Sequence, residues 1–178
     1  GGTIQNGTLS SSATFGVQAG TISAALTGAG GLTKTTSGSV TLSGADTYTG
    51  ATTISAGTIL AGAANSFSNS SAFTVASGAT LDIGGYAQSV GSLAGAGTVT
   101  NSGGSNAVLS AGNDNTSTTF SGAIQNGAST IGLTKVGSGT LTLSGNNSYT
   151  GGTTVNAGTL AVSGSGTIGA AADALTVN

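Results

Sequence analysis

The 178-residue sequence has no cysteine, histidine, proline, methionine or tryptophan, and arginine and glutamate are absent too. Without cysteine and histidine the chain has no disulfides, no thiol nucleophile and no ligands for soft metals. Charged residues make up 3% of the chain, where an ordinary globular domain has about 25%. Because the net charge is −2, there is no basic surface for phosphates, and we expect no nucleic-acid partner.

The residues that are abundant are small or uncharged and polar. The 34 glycines do not recur at every third position, which excludes a collagen-like fibre. Simple disorder usually combines low hydrophobicity with high charge, whereas 37% of this chain is hydrophobic. No apolar run reaches about 18 residues, so no transmembrane helix is predicted. We therefore expect a folded chain whose solubility comes from serine, threonine and asparagine.

One long segment occurs twice, at an offset of 101 residues and without a gap. Residues 31–59 read GLTKTTSGSVTLSGADTYTGATTISAGTI, and residues 132–160 read GLTKVGSGTLTLSGNNSYTGGTTVNAGTL. Such agreement indicates a repeat architecture. A shorter period of about 18 to 22 residues lies within it, marked by a small residue before a Thr or Ser and a large apolar residue. These anchors are Gly2, Gly20, Gly38, Gly57, Gly78, Gly97, Ser117, Gly139 and Gly158.

The residues that follow the anchors form two columns. Successive side chains of a strand point to opposite faces, so one column is predicted to face outward and the other inward. The outward hydroxyl column is Thr3, Thr21, Ser39, Thr58, Thr80, Thr98, Thr119, Thr140 and Thr159. The inward apolar column is Ile4, Ile22, Val40, Ile59, Leu81, Val99, Phe120, Leu141 and Leu160.

One turn of about 20 residues cannot bury its apolar side chains alone, whereas stacked turns can. Gly, Asn and Asp clusters between the strands supply tight corners. The sequence therefore predicts an all-β fold, a right-handed parallel β-helix of about nine rungs, with residues 1–178 forming a single solenoid segment. A β-sandwich would not require like residues at one position in every turn. For residues 170–175 we predict a corner rather than a helical turn. The chain begins Gly-Gly without Met, so we interpret it as part of a longer precursor.

Catalysis is not predicted, because Asp46, Asp82, Asp114 and Asp173 fall in different rungs and phases and have no Arg or His beside them. Glycoside hydrolysis, for example, needs two carboxylates within about 10 Å of one another. We predict no catalytic, cofactor-binding or metal-binding residues. Asp114 is interpreted as an acidic turn.

Other residues that could carry a function have simple structural explanations. Ice binding would need a second regular column beside the threonines, but the column two residues on is irregular. The equivalent Lys34 and Lys135 are expected at a solvated rung edge, and Tyr48 and Tyr149 are expected to pack their rings with the hydroxyls in water.

The two long copies resemble the passenger-associated repeat of bacterial autotransporters, in which GLTK, GSGTLTLSG, NxYTGGTTV and AGTL recur in this order. Residues 132–160 match almost throughout, and residues 31–59 depart with Thr36 and Ala51 where the pattern has glycine. Residues 78–101 also resemble sequence found between such repeats. The resemblance implies a β-helical passenger that is exported across the outer membrane and displayed at the bacterial surface or released.

By that resemblance, the partners would be the rest of the passenger and an outer-membrane translocator barrel. We expect a non-enzymatic stalk or adhesin, with a host surface or a polysaccharide as a further possible partner. The alternative is a subunit of an extracellular filament or biofilm matrix, which assembles by stacking the solenoid ends. The ends of a solenoid present open strand edges, and no proline and almost no charge is available to block them. Either neighbouring passenger sequence covers these ends, or molecules stack end to end into a filament.

Overall fold

The computed structural model describes residues 2–170 and 174–178. In this part of the chain there is no helix, and 22 short strands, numbered β1 to β22 in chain order, pair only in parallel. The chain coils so that strands of successive turns lie beside one another, forming a β-solenoid of about nine turns. The predicted fold class is confirmed.

Three sheets run along the solenoid, and each is built from strands of successive turns. The first sheet contains, from one edge to the other, β1 (Gly2–Ile4), β4 (Gly20–Ile22), β7 (Ser39–Leu42), β9 (Thr58–Ala61), β11 (Thr80–Asp82), β14 (Thr98–Thr100) and β17 (Ala123–Ile124). The second contains β3 (Phe15–Val17), β6 (Leu32–Lys34), β8 (Thr52–Ile54), β10 (Ala72–Val75), β13 (Ser92–Gly95), β16 (Thr118–Phe120), β19 (Thr140–Leu143) and β21 (Thr159–Val162). The third contains β12 (Gln88–Val90), β15 (Ala107–Ala111), β18 (Ile131–Lys135), β20 (Thr153–Val155) and β22 (Leu175–Val177). Strands β2 (Thr8–Ser10) and β5 (Ala25–Thr27) form a separate pair.

The core between the sheets contains a file of aliphatic side chains together with buried Phe and Tyr rings. Val40, Ile59, Leu81 and Val99 are direct neighbours in register and at most 2% exposed. Their neighbours in the hydroxyl column are half-buried or exposed, as the alternation of side chains in a strand requires. Ile4 is 45% exposed because its strand β1 is the edge strand of the first sheet.

The predicted apolar column is wrong at three places, and at one of them Phe120 pairs with Leu143 rather than Leu141. Ile22 pairs with Leu42 rather than Val40, although both stay inward because the register differs by two residues. Val99 is followed by Ile124 rather than Phe120, since Phe120 belongs to the second sheet. The tripeptide used as an anchor does not mark one face, because every face accepts a small residue, a hydroxyl and an apolar residue.

The two long copies also place their matching strands in different sheets, which the predicted columns did not show. In the first copy, residues 32–34 lie in the second sheet and residues 39–42 in the first. In the second copy, the matching residues 133–135 lie in the third sheet and residues 140–143 in the second. The outward and inward columns predicted at residues 119–120, 140–141 and 159–160 therefore continue on a different face of the solenoid.

The corners of the two copies stack closely. A Cβ added at Gly50 or Gly151 would lie under 3.0 Å from backbone atoms of the preceding turn, around Gly31 and Gly132 respectively. Residues with side chains cannot be accommodated there without a shift of the backbone. The corner predicted at residues 170–175 lies partly outside the described residues.

Candidate functional site

The three described aspartates each bind backbone or hydroxyl groups of their own surroundings. Asp82 is 7% exposed, and its Oδ1 accepts hydrogen bonds from the Gly84 and Ser102 nitrogens, both at 2.9 Å. Asp114 accepts from the Thr116 nitrogen at 2.9 Å and the Thr116 hydroxyl at 2.7 Å. Within residues 2–170 and 174–178, no three His, Cys, Asp or Glu side chains group together. Asp173 lies outside that part.

Hydrogen bonding decides the charge state of Asp114. Burial alone would raise the pKa of its carboxyl, but hydrogen bonds from Thr116 and Ser92 outweigh this and lower the pKa below its ordinary value. Asp114 is therefore an ionised, partly exposed carboxylate held within its turn.

Asp46 has a different environment. It is 5% exposed, its Oδ1 accepts a hydrogen bond from the Leu26 nitrogen at 2.8 Å, and its buried Oδ2 has no hydrogen-bond partner. Burial raises the pKa of this carboxyl to about 7, although the hydrogen bond from Leu26 lowers it in part. Sequence reasoning placed Asp46 at a tight corner and did not single it out. Asp46 lies two residues from Gly44 and two from Tyr48, both of which are buried. This period of two is the signal that could have shown that the Asp46 side chain points inward.

The two lysines are buried, which corrects their expected place at a solvated edge. Both are 0% exposed. Lys34 Nζ donates to the Thr36 and Ala56 carbonyls, the latter at 3.3 Å. Lys135 Nζ donates to the Val136 carbonyl at 2.5 Å, to the Gly137 carbonyl at 2.9 Å and to the Ala157 carbonyl at 3.3 Å.

We call this arrangement the lysine clamp, meaning a Lys34 or Lys135 ammonium bound to carbonyls of its own corner and of the next turn. The acceptors Ala56 and Ala157 occupy equivalent positions in the two copies. Burial lowers the pKa of both lysines below the ordinary value, while the carbonyl oxygens satisfy the ammonium donors. Because carbonyls close the group off, the clamp ties two turns together and offers no open nucleophile.

The tyrosine hydroxyls are also buried, which corrects the expectation that they contact water. Tyr48 and Tyr149 are 0% exposed. The hydroxyl of Tyr48 is hydrogen-bonded to Thr52 Oγ1 at 2.6 Å, and that of Tyr149 to Thr153 Oγ1 at 2.7 Å. Thr52 Oγ1 is also hydrogen-bonded to Ser71 Oγ at 2.8 Å, so a chain of three hydroxyls crosses the core of the first copy. Neither ring is available to stack on a sugar.

A shallow groove of about 550 Å³ lies beside the third sheet, along the corners that precede its strands β15, β18, β20 and β22. Its lining combines small or apolar residues, such as Val108 and Gly152, with the polar Asn106, Thr130 and Thr150, and among the described residues it carries no charged side chain. Val108 is 38% exposed. Such a surface suits an uncharged ligand with many hydroxyls better than an ionic one.

The outward columns do not form a regular two-column array. Ser39, Thr58, Thr80 and Thr98 are neighbours in register on the first sheet. The next outward column of the same strands reads Thr41, Leu60, Asp82 and Thr100. The irregular second column agrees with a threonine ladder that stabilises the sheet through contacts between neighbouring strands.

Two segments of the chain match the family model described as passenger-associated-transport-repeat, residues 32–61 and 133–162. The chain therefore carries two copies of a repeat of autotransporter passengers, as the resemblance implied. No curated protein and no solved structure matches the chain. In the described ranges, no helix is both long and apolar enough to cross a membrane.

Proposed function

We propose that this chain, with its two passenger-associated transport repeats, is a non-enzymatic scaffold segment of an autotransporter passenger, acting as a stalk or an adhesin at the cell surface. The observation that carries the proposal is the register. Parallel pairing continues through seven strands of the first sheet and eight of the second, with one aliphatic file between them. Repeats of this family imply export to the cell surface or beyond it.

A stalk must keep its length under load, and stacking of turns provides this. At about 4.8 Å per strand, eight strands span roughly 35 Å along the axis. Each turn contacts mainly its neighbours, so a longer passenger could extend the rod by further turns without a new core. By the family resemblance, the rest of the passenger and an outer-membrane barrel are the proposed partners along that axis.

The adhesin role is supported by the groove beside the third sheet. Its uncharged lining, with the side chains of Asn106, Thr130 and Thr150, matches a neutral polysaccharide of a host or neighbouring cell. Binding can be measured on an array of neutral glycans. Val108→Arg should abolish it, while Thr74→Arg, at an exposed position of the second sheet, serves as the matched control. Binding that survives Val108→Arg would place the ligand elsewhere.

The second candidate is a filament subunit, which would grow when strands of another chain pair with the edge strands of the described rod. Large apolar side chains are exposed in the first turns and in the last ones. These are Ile4 at 45%, Leu9 at 40%, Val162 at 44%, Leu175 at 58% and Val177 at 71%. Strands β1 and β22 are edge strands, so another chain could add its own strands to them.

Electron microscopy of the purified 178-residue chain, combined with small-angle scattering, separates the two candidates. Discrete short rods support the scaffold segment, and long fibres with a regular axial repeat support the filament subunit. If fibres form, Val177→Lys should shorten them by charging one end, and Thr74→Lys should leave them intact. A compact, isotropic particle would contradict both.

A further inference from the structure

The carboxyl of Asp46 lacks a partner that its counterpart in the other copy possesses. Asn147 occupies the equivalent position, 1% exposed, and its Oδ1 accepts a hydrogen bond from the Ile124 nitrogen at 2.8 Å. Asp46 Oδ1 does the same with the Leu26 nitrogen, also at 2.8 Å. The second branch differs, because Asn147 Nδ2 donates to the carbonyls of Gly145 at 2.9 Å and Thr167 at 2.8 Å. Asp46 Oδ2 has no partner at all.

An ionised carboxylate has only acceptor sites, whereas a protonated one carries an O–H donor. At the equivalent corner of the second copy, one backbone donor and two backbone acceptors surround the Asn147 amide. A charged Asp46 can use the donor only, and its second oxygen stays buried and unpaired at a cost. A protonated Asp46 reproduces the donor and acceptor pattern of asparagine at the same size.

No cation compensates the charge of Asp46. The only two cations of the chain, Lys34 and Lys135, direct their ammonium groups at backbone carbonyls. The titratable group on which Asp46 acts electrostatically is Tyr48, whose pKa is raised mainly by burial and partly by Asp46. On the side facing solvent lies a pocket of about 210 Å³, with Asn65, Phe67, Asn69 and Ser89 in its lining and none of them charged. Asp46 lines this pocket too.

We propose that Asp46 is a proton-binding site that makes the stability of the first repeat dependent on pH, with the protonated carboxyl taking the place of the Asn147 amide. In acid the corner of Asp46 is held as tightly as the equivalent corner of Asn147. In alkali the buried carboxylate loosens the contact between the turn of Asp46 and the turn of Leu26. The two copies then differ in stability although their sequences largely agree.

The pH range follows from the pKa of the Asp46 carboxyl, which is about 7 in the folded chain and has its ordinary value of 3.8 in the unfolded one. Because the folded value is the higher one, the stabilising effect of the proton is complete below about pH 4, declines up to about pH 7, and is absent above it. The unfolding equilibrium constant should therefore rise by a factor on the order of 10³ across this range. Asp114 acts in the opposite direction and below this range, because its pKa is lowered.

The test is urea unfolding of the whole 178-residue chain at a series of pH values, for the native chain and for Asp46→Asn. The native midpoint should fall between about pH 4 and pH 7, and the midpoint of Asp46→Asn should stay level and be the higher one at neutral pH. The reciprocal variant Asn147→Asp should acquire a second decline in the same range. If the native and Asp46→Asn midpoints fall in parallel, the proposal is overturned.

Two further measurements keep the test independent of global folding. Infrared spectra of the native chain near pH 6 should show the carbonyl band of a protonated carboxylic acid, which Asp46→Asn lacks; a spectrum with carboxylate bands alone would overturn the proposal. Calcium chloride at about pH 8 should leave the native midpoint unchanged. A rise in that midpoint that is absent from Asp46→Asn would show that the site takes a metal cation instead of a proton.

Discussion

The first and second long copies form the same local contacts on different faces of the solenoid. Lys34 and Lys135 clamp equivalent carbonyls, and the Tyr48–Thr52 hydrogen bond recurs as Tyr149–Thr153. Yet the strand at residues 32–34 lies in the second sheet and its counterpart at residues 133–135 in the third. The repeat therefore specifies the shape of a turn and its contacts with the next turn, but not the face on which its strands lie.

The second difference between the copies is how far the neighbouring turns bury their side chains. Turns precede and follow the first copy, so Ile59 is 0% exposed and pairs with Val40 on one side and Leu81 on the other. In the second copy, the equivalent Leu160 lies on β21, the edge strand of the second sheet, and is only partly buried. Equivalent positions of the repeat thus contribute unequally to stability, because it is the neighbouring turn that buries them.

The largest loss of stability is expected when a charged side chain is placed at the buried position of the first copy. Ile59→Asp should destabilise the chain by about 3 to 5 kcal/mol, since it places an unpaired carboxylate among stacked aliphatic side chains. Leu160→Asp should cost less than about half of that, because water reaches the edge strand. The measurement is the free energy of urea unfolding of each variant at one pH.

Thr58→Asp is the matched control, one residue away and directed outward. It should cost about 1 kcal/mol or less. Equal losses for Ile59→Asp and Thr58→Asp would contradict the assignment of inward and outward columns. Equal losses for Ile59→Asp and Leu160→Asp would contradict the account of burial at the edge.

A smaller and symmetrical effect is expected from the lysine clamp. Lys34→Met and Lys135→Met each remove an ammonium from buried carbonyls, which should cost about 1 to 3 kcal/mol. Because two carbonyl acceptors of each lysine are equivalent, Thr36 with Gly137 and Ala56 with Ala157, the two losses should agree within about 1 kcal/mol. Ser37→Met, at an exposed position of the same corner, controls for the introduction of a methionine. A loss in one copy and none in the other would show that the clamp is not a property of the repeat.

The sequence predicted the fold class and the alternation of inward and outward side chains because both depend on local periodicity. It could not place the faces, because the face reached by a strand depends on the summed lengths of all preceding corners. The chain between β14 and β17 passes through strands of the third and second sheets, which no tripeptide anchor reveals. Phe120 was therefore assigned to the wrong sheet.

The buried polar groups were missed for a different reason. Lys34 and Tyr48 are residue types that usually keep their polar ends in water. Their partners, the Ala56 carbonyl and the Thr52 hydroxyl, come together only when the turns are stacked. The aligned copies show Asp46 where the second copy has Asn147. That this difference affects a buried hydrogen-bonding position could be recognised only once both side chains were known to point inward.

The smallest effect should come from the hydroxyl chain in the core of the first copy. Tyr48→Phe removes one hydrogen bond and should cost about 1 kcal/mol, since the Thr52 hydroxyl keeps Ser71 Oγ as a partner at 2.8 Å. Tyr86→Phe, at a side chain that is 43% exposed, should change the unfolding free energy very little.

A double-mutant cycle with Ser71→Ala tests whether the three hydroxyls act as a chain. In the Ser71→Ala background Thr52 has lost its second partner, so Tyr48→Phe leaves its buried oxygen with none and should cost more than in the native chain. The expected coupling energy is about 0.5 to 1 kcal/mol. Strict additivity of the two substitutions would show that the Tyr48–Thr52 and Thr52–Ser71 contacts are independent. The Tyr–Thr hydrogen bond that both copies share would then stabilise each copy on its own.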